Sequence, residues 1–584
     1  MFPPADTLSP VKETCPMHQR PLRTCLLSAY GILSAAAALP ALAAPGAEGD
    51  ARGGNAALLT VAEASDFHAT AHHADVVALL DRLCTAYPNL ARRSSMGETT
   101  EHREIPLLIA SDPPVATAAE ARALAAREGR AIVLLFGNIH AGEVCGKEAL
   151  CILAREMLGE AELAKGGDGA TGVDGKGASA LPLLRRAIVV FAPIYNADGN
   201  DRFGPLEQNR GAQVGPVDGV GIRHNAMDLD LNRDFLKLEA PETRSLVRFM
   251  NEWDPNIIVD THTTNGSRHR HVITYAGPKT PAGDAGVIEY SRQVFLPWIE
   301  KRFEDTSGMD ATWYGSFGGV FGDKPRSSTQ WETFPAEARF GTSYIGLRGR
   351  LGILSEAYAY ATFKERIEGT RLFCRAIVEY AAERGPELRE LARLADERTS
   401  ASKDPVVLRT EAVAQPFPVT IKTFAKWDGH EPENASDVRE DRVCSLMDKF
   451  ETRLEVPRPL AYAIRGDTGD VSKVVENLRL HGLRIETLSG PVKVKAEVYT
   501  IDAAKPASRE FQKHVLITAE ATPASKEMTL PTGTVIVRTA QPLGNLACYL
   551  LEPECEDGLT TWNFFDAWMK PGAEFPVVRV VGGV

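Results

Sequence analysis

The chain has 584 residues, of which 44% are hydrophobic and 24% charged; that is ordinary globular composition and excludes a disordered or collagen-like chain. A chain this long buries a large core without disulfide or metal staples and holds roughly two to four domains. With 65 basic against 77 acidic side chains its net charge is -12, which disfavours nucleic acid as a partner because phosphate binding needs a basic face.

At the amino terminus, Arg20 and Arg23 precede an apolar stretch from Cys25 to Pro40, followed by the small-x-small site Ala41-Leu42-Ala43. This order predicts an export signal over residues 1–43, hence a periplasmic or extracellular protein. The stretch is too short to span a bilayer, so no membrane span is expected. Residues 44–64, rich in Ala and Gly, read as a flexible leader.

From 65 to about 398, short Val-, Ile- and Leu-rich runs alternate with helical patterns. The clearest strands are Ala131–Ile139, Ala187–Ile194, Asn256–Thr261 and Leu351–Ser355; helices are expected over Gly142–Leu158 and Pro241–Trp253. Continuous apolar strands are those buried on both faces, so this is an α/β pattern with a mixed, largely parallel central sheet and helices on both faces. Residues 159–180, rich in Gly and Asp, read as a flexible insertion, and Ala376–Arg398 as a charged closing helix. From 405 to 584 alternating segments such as Val492–Ile501 and Thr534–Thr539 predict a β-rich C-terminal domain to which the sequence gives no role. Beyond the signal the cysteines are Cys84, Cys145, Cys151, Cys374, Cys444, Cys548 and Cys555, with no CxxC pair. Most read as buried small hydrophobes; an oxidising compartment would allow one bridge, Cys548–Cys555.

The chemistry lies where strands end. His140-Ala-Gly-Glu143 follows the strand Ala131–Ile139, and a neutral nitrogen with an anionic oxygen three residues on suits Zn²⁺. Taken alone, His140 reads equally well as a satisfied strand-end histidine, and a second HxxE, His430-Glu-Pro-Glu433, reads as solvated surface. His262 ends the run Ile257-Ile-Val-Asp-Thr-His262, and ligands of open α/β sheets gather at carboxyl strand ends. His140, Glu143 and His262 together would leave a fourth position for water, as catalytic zinc sites do. His269 and His271, farther along, read as local polar contacts. Glu356, in Gly352-Ile-Leu-Ser-Glu356, is a carboxylate in apolar surroundings, either a base for water or a partner of Arg348 or Arg350. The segment from Arg223 to Phe235 gathers Arg223, Asn232 and Arg233 in loop-like sequence, residue types suited to a carboxylate or an oxyanion.

In order and spacing, these pieces resemble the zinc metallocarboxypeptidase family that includes the pancreatic carboxypeptidases. HxxE follows a strand, Tyr195-Asn-Ala-Asp-Gly199 is similar to the family's NPDG turn with Ala197 in place of Pro, and Asp230-Leu-Asn-Arg-Asp-Phe235 is similar to its Asn-Arg motif. The resemblance implies one Zn²⁺ held by His140, Glu143 and His262, with Asp230 orienting a zinc histidine. It implies Glu356 as general base, Arg223 (or, less clearly, Arg210) as oxyanion stabiliser, and Asn232 and Arg233 as holders of a peptide's free terminal carboxylate. Tyr344 is the candidate for the family's mobile tyrosine, at a shorter spacing along the sequence to Glu356 than in pancreatic-type enzymes; Arg339, Arg348 and Arg350 lie near it in the chain. The implied activity is removal of the C-terminal residue of a peptide. An amidohydrolase acting on an N-acyl amino acid or cell-wall peptide, and a non-catalytic binding protein of the same fold, are the alternatives.

Overall fold

The computed structural model describes residues 58–163, 182–264, 266–318, 329–425 and 438–583. The expected export signal, most of the leader, the insertion from 164 on and His430–Glu433 lie outside the described residues. The last residues of the leader, Val61–Ala64, form a helical turn with a capping box from Thr60 and Glu63.

Among the described residues, nine strands belong to the first two-thirds of the chain: β1 (Ala91–Glu98), β2 (Glu104–Ala110), β3 (Ala131–Gly137), β4 (Ala187–Ala192), β5 (Ile257–Thr264), β6 (Ile273–Ala276), β7 (Ala311–Trp313), β8 (Gln330–Glu332) and β9 (Leu351–Tyr358). All but β8 form one sheet in the order β1-β2-β4-β3-β5-β9-β6-β7. The four expected strands are its centre, β4-β3-β5-β9, and they run parallel. Antiparallel pairs at β1–β2, β2–β4 and β9–β6 complete a mixed sheet.

Alternation along each strand sends side chains to two cores. Val133, Leu135, Val189, Phe191, Ile257 and Val259 pack with helices His73–Ala86, Cys145–Leu163 and Phe363–Glu383. Ile132, Leu134, Phe136, Ile188, Val190 and Ile258 pack on the other face, with Pro241–Trp253 and with residues of the C-terminal part, among them Tyr462, Leu546, Trp562 and Val577.

Two boundaries differ from expectation in ways that matter. The strand expected to stop at Thr261 continues to Thr264, because β5 pairs with β9 in unbroken register from Ile257↔Leu351 to Thr264↔Tyr358. His262 and Glu356 therefore sit inside strands, opposite one another. The expected closing helix is two, Phe363–Glu383 and Gly385–Ala401, since Pro386 cannot continue a helix and opens a new one. The helix Cys145–Leu163 also runs five residues further than expected, into the start of the predicted insertion.

The C-terminal part is β-rich. Strands β10 (Val406–Val413), β11 (Pro418–Phe424), β12 (Arg439–Met447) and β13 (Lys449–Val456) form two small sheets, one of which takes in β8. A six-stranded sheet follows, built from β14 (Ala461–Ile464), β15 (Glu486–Thr487), β16 (Val492–Pro506), β17 (Ile517–Leu530), β18 (Val535–Arg538) and β19 (Glu574–Gly582). All seven described cysteines are free, Cys548 and Cys555 included, and all but Cys84 are buried. No described helix is long and apolar enough to cross a membrane.

Candidate metal centre and substrate cavity

After β3 the chain turns through residues 138–144, with the Glu143 N–H donating to the His140 carbonyl at 2.9 Å. The helix Cys145–Leu163 then leaves against β5. Gly146 makes that approach possible: a Cβ there would stand 2.1 Å from Thr261 Oγ1. The close packing brings the His140–Glu143 turn to the side of His262.

His140 Nδ1 lies 3.1 Å from His262 Nδ1 and 3.1 Å from Glu143 Oε1, and His262 Nδ1 lies 3.0 Å from Glu143 Oε2. The other ring nitrogens face carboxylates, His140 Nε2 at 3.0 Å from Asp230 Oδ1 and His262 Nε2 at 2.8 Å from Asp260 Oδ2. The Asp230 carboxylate holds the His140 ring proton on Nε2, Asp260 stands beside His262 Nε2, and the two Nδ1 atoms face each other. Two imidazole nitrogens and a carboxylate, all buried and crowded together, are the donor set a divalent cation fits. The group is the one cluster among the described residues whose ligand atoms all come within 4.8 Å.

Charge around it is steep. Burial pushes Glu143 up, but Arg210 and His140 outweigh burial and hold it well below the usual carboxylate range. Burial would depress His262, yet Asp260 and Glu143 raise it well above the ordinary histidine value. Asp230 is held well below its normal value, burial being outweighed by His140, Arg233 and Arg223.

Glu356 stands beside His262 in the β5–β9 register. It is 9% exposed, and its Oε2 has no hydrogen-bond partner among the described residues. Burial, reinforced by Glu143 and opposed by His262 and Arg210, pushes its carboxyl up to about 8. Neither suggested arginine partner reaches it. Arg348 donates to Asn251, to the His481 carbonyl and to the Tyr344 hydroxyl, and Arg350 pairs with Asp254 and Asp396.

A cavity of about 210 Å³ opens over this cluster. His140, Glu143 and Glu356 line its floor, Arg210, Arg223, Asn232 and Arg233 one side, and Tyr314, Phe334, Phe340 and Leu354 an apolar wall. Arg223 is fixed by Asp230, with Nε at 3.0 Å and Nη2 at 2.8 Å from Oδ2, and its Nη1 stands 3.5 Å from Glu143 Oε1. Arg210 comes nearer, with Nη1 3.1 Å from the same oxygen and Nη2 donating to the Thr263 carbonyl. Asn232 accepts from the Gly341 N–H at 2.9 Å, and the Arg233 guanidinium lies 4.3 Å from the Phe340 ring centre. The turn Tyr195–Gly199 ties the pieces together: Asn196 Nδ2 donates to the carbonyls of Ile139 and Arg223.

Tyr344 is not brought into the cavity. Its helix, Gly341–Leu347, lies against β9 and turns the ring inward, where it is fully buried. The hydroxyl meets His481 Nδ1 at 2.7 Å and accepts from Arg348 at 3.1 Å. Arg339 is likewise engaged elsewhere, paired with Asp557 at 2.8 Å. His269 stacks on Tyr358 and His271 accepts from the Lys422 N–H, so both are packing groups.

Two residues escaped the sequence reading. Asp260 lies inside an apolar strand two positions before His262, and that spacing, which puts both side chains on one sheet face, was the available signal. Tyr314 follows the short strand β7 in a loop, with nothing in its neighbours to mark it.

The family profile described as zinc carboxypeptidase matches residues 76–279. Carboxypeptidase 2 of Trichophyton rubrum is 21% identical over 461 residues, covering 77% of this chain and 76% of its own. Carboxypeptidase D of Mus musculus is 27% identical over 178 residues, 30% of this chain and 11% of that protein. Among solved structures, a metallo-carboxypeptidase from Burkholderia cenocepacia aligns over 52% of this chain and 69% of its own, at 16% identity and a TM-score of 0.36.

Proposed function

We propose that this chain, a member of the zinc metallocarboxypeptidase family through its residues 76–279, removes the C-terminal residue of peptides at the cavity between β3, β5 and β9. The observation that carries the reading is the convergence of His140, Glu143 and His262 beside Glu356, a buried carboxylate with a free oxygen.

In this reading His140, Glu143 and His262 hold one zinc ion. Bound there, zinc supplies a Lewis acid that polarises the scissile carbonyl and lowers the pKa of water to about 7. The chain's own residues do the rest. Asp230 holds the His140 imidazole by its far nitrogen and the Asp260 carboxylate lies against that of His262, so the ligands meet the ion already oriented. Glu356 takes a proton from the attacking water and passes it to the leaving amine, a role worth about 10²–10⁴ in rate. A carboxyl that burial pushes up to about 8 becomes a base once a cation stands beside it. Arg223 and Arg210 face the place where the carbonyl oxygen gains charge, where one such donor is worth about 10²–10³ in kcat. Asn232 and Arg233 receive the terminal carboxylate, which restricts attack to the last peptide bond. Tyr314 takes the place first suggested for Tyr344, as the cavity's tyrosine hydroxyl. In this reading residues 65–398 make up the catalytic part, and the amino-terminal pattern supports a location outside the cytoplasm.

The test is metal analysis with a matched panel of peptides bearing free and amidated C termini. Expected are one zinc per chain and release of the last residue from free ends only. Equal cleavage of amidated ends would remove Asn232 and Arg233 from the carboxylate role. No cleavage of any peptide by the zinc-loaded protein would overturn the reading.

A further inference from the structure

The segment 227–239 carries Asp230, Asn232 and Arg233 but has no strand ladder and only one short 3₁₀ turn, Leu231–Arg233, to hold its backbone. Irregular buried backbone must find its hydrogen bonds elsewhere. Much of what it finds comes from far along the chain. The Asp230 N–H donates to Gln512 Oε1 at 2.8 Å, and Lys513 Nζ donates to the Met227 carbonyl at 2.6 Å. Asn477 Nδ2 donates to the carbonyls of Leu236 and Lys237 at 2.9 and 3.0 Å, and His481 Nε2 to that of Leu236 at 3.1 Å. His514 Nε2 meets Glu239 Oε1 at 3.0 Å.

Gln512 and Lys513 form the tip of the connection between β16 and β17, closed by the Phe511↔His514 bridge. Both have left-handed backbone, with φ of 51° and 64°. Two adjacent side-chain-bearing residues in that region cost free energy that the surroundings must offset. The docked contacts offset it here, and the same tip is anchored by His514 Nδ1 on Asn563 Oδ1 at 2.8 Å. The orientation of the Gln512 amide follows from its partner, since only its oxygen can accept from the Asp230 N–H.

We infer that Gln512, delivered by the C-terminal part, is a positioning residue for the cavity: it fixes the backbone of Asp230, whose carboxylate holds His140, Arg223 and the Asn232 N–H together. Those three contacts are at 3.0, 2.8 and 2.9 Å. A shift of Asp230 is therefore felt by a metal ligand, by a cavity arginine and by the carboxylate-binding turn at once. The inference rests on the roles proposed above for Asp230 and its neighbours, and it gives the C-terminal part a task in the site.

The experiment compares the full-length protein with Gln512→Met, which keeps the side chain's length but has no oxygen, and Gln512→Glu, which keeps an acceptor at the same reach. Gln512→Asn, too short to reach, is a second loss variant should Gln512→Met fail to fold. Zinc affinity is read by competition with a chromophoric chelator, and kcat and KM with a free-ended peptide. A loss variant should weaken zinc binding and kcat/KM each by about fivefold or more, the worth of one buried hydrogen bond, and Gln512→Glu should restore most of both. Unchanged zinc affinity in Gln512→Met, or equal loss in Gln512→Met and Gln512→Glu, would overturn the inference. Weakened zinc binding restored by Gln512→Glu, in a protein that cleaves no peptide, would leave it standing and overturn the peptidase reading alone.

Discussion

Glu356 and the two tyrosines divide the residue-scale chemistry. Among the described residues Glu356 Oε2 has no hydrogen-bond partner, so its amide fits the same space. Glu356→Gln is expected to bind zinc as tightly as wild type and to lose about 10²–10⁴ in kcat; an active variant would remove Glu356 from the base role. Tyr314 and Tyr344 should separate cleanly. Tyr314→Phe, at the cavity wall, should change kcat or KM with little effect on melting temperature. Tyr344→Phe strands His481 Nδ1 and an Arg348 donor in the core, which costs about 1–3 kcal/mol of stability, with kinetics unchanged. The tyrosine choice was illegible in sequence because both positions look alike there, a tyrosine a few residues from arginines or aromatics. Only the direction each element faces distinguishes them. His140, Glu143, His262 and Glu356 were legible because ionisable groups are out of place beside such apolar strands.

At the scale of elements, the site depends on how closely a helix and a strand approach and on how a hairpin tip is held. Gly146→Ala places a methyl into Thr261. It should push the helix Cys145–Leu163 off β5, part Glu143 from His262, and lower both melting temperature and zinc affinity; a variant unchanged in zinc affinity would show that the close approach is dispensable. The His514–Glu239 pair makes docking of the tip depend on pH. The Glu239 hydrogen bond, against burial, raises His514; burial is outweighed by His514 and Lys237 at Glu239, which is lowered. A raised histidine gives stability that is full below its unfolded value of 6.5 and is lost as pH rises through its folded value. A lowered carboxylate gives stability present above 4.5 and lost as pH falls through its folded value. The melting-temperature gap between wild type and His514→Gln should thus be widest between about pH 5 and 6.5 and narrow on both sides; a gap independent of pH would count against the ion pair. The central strands were readable from their apolar runs, whereas the extension of β5 to Thr264 was not. Thr, His and Thr carry no strand signal of their own, and it is pairing with β9 that keeps them extended.

Across the whole molecule, the C-terminal part and the sheet share a core. Tyr462, Trp562 and Val577 belong to the same apolar cluster as Phe136, Leu231 and Phe235. A chain ending near residue 404 would expose that face and free the segment 227–239. It is expected to give aggregated or inactive protein, and a soluble, fully active truncation would contradict the shared role. Sequence reading separated the two parts by a change of pattern near Ala401; in the structure the helix Gly385–Ala401 is followed by strands from Val406 on. It could not reveal that the later part reaches back to Asp230, since no local periodicity records a contact between residues 230 and 512. The central claim is that His140, Glu143 and His262 bind one zinc beside Glu356. Anomalous diffraction at the zinc edge from crystals of the zinc-loaded protein tests it most directly. A single strong peak is expected at about 2.0–2.2 Å from the two Nδ1 atoms and the Glu143 carboxylate; a peak elsewhere, or none at these three residues, would rule the metal centre out.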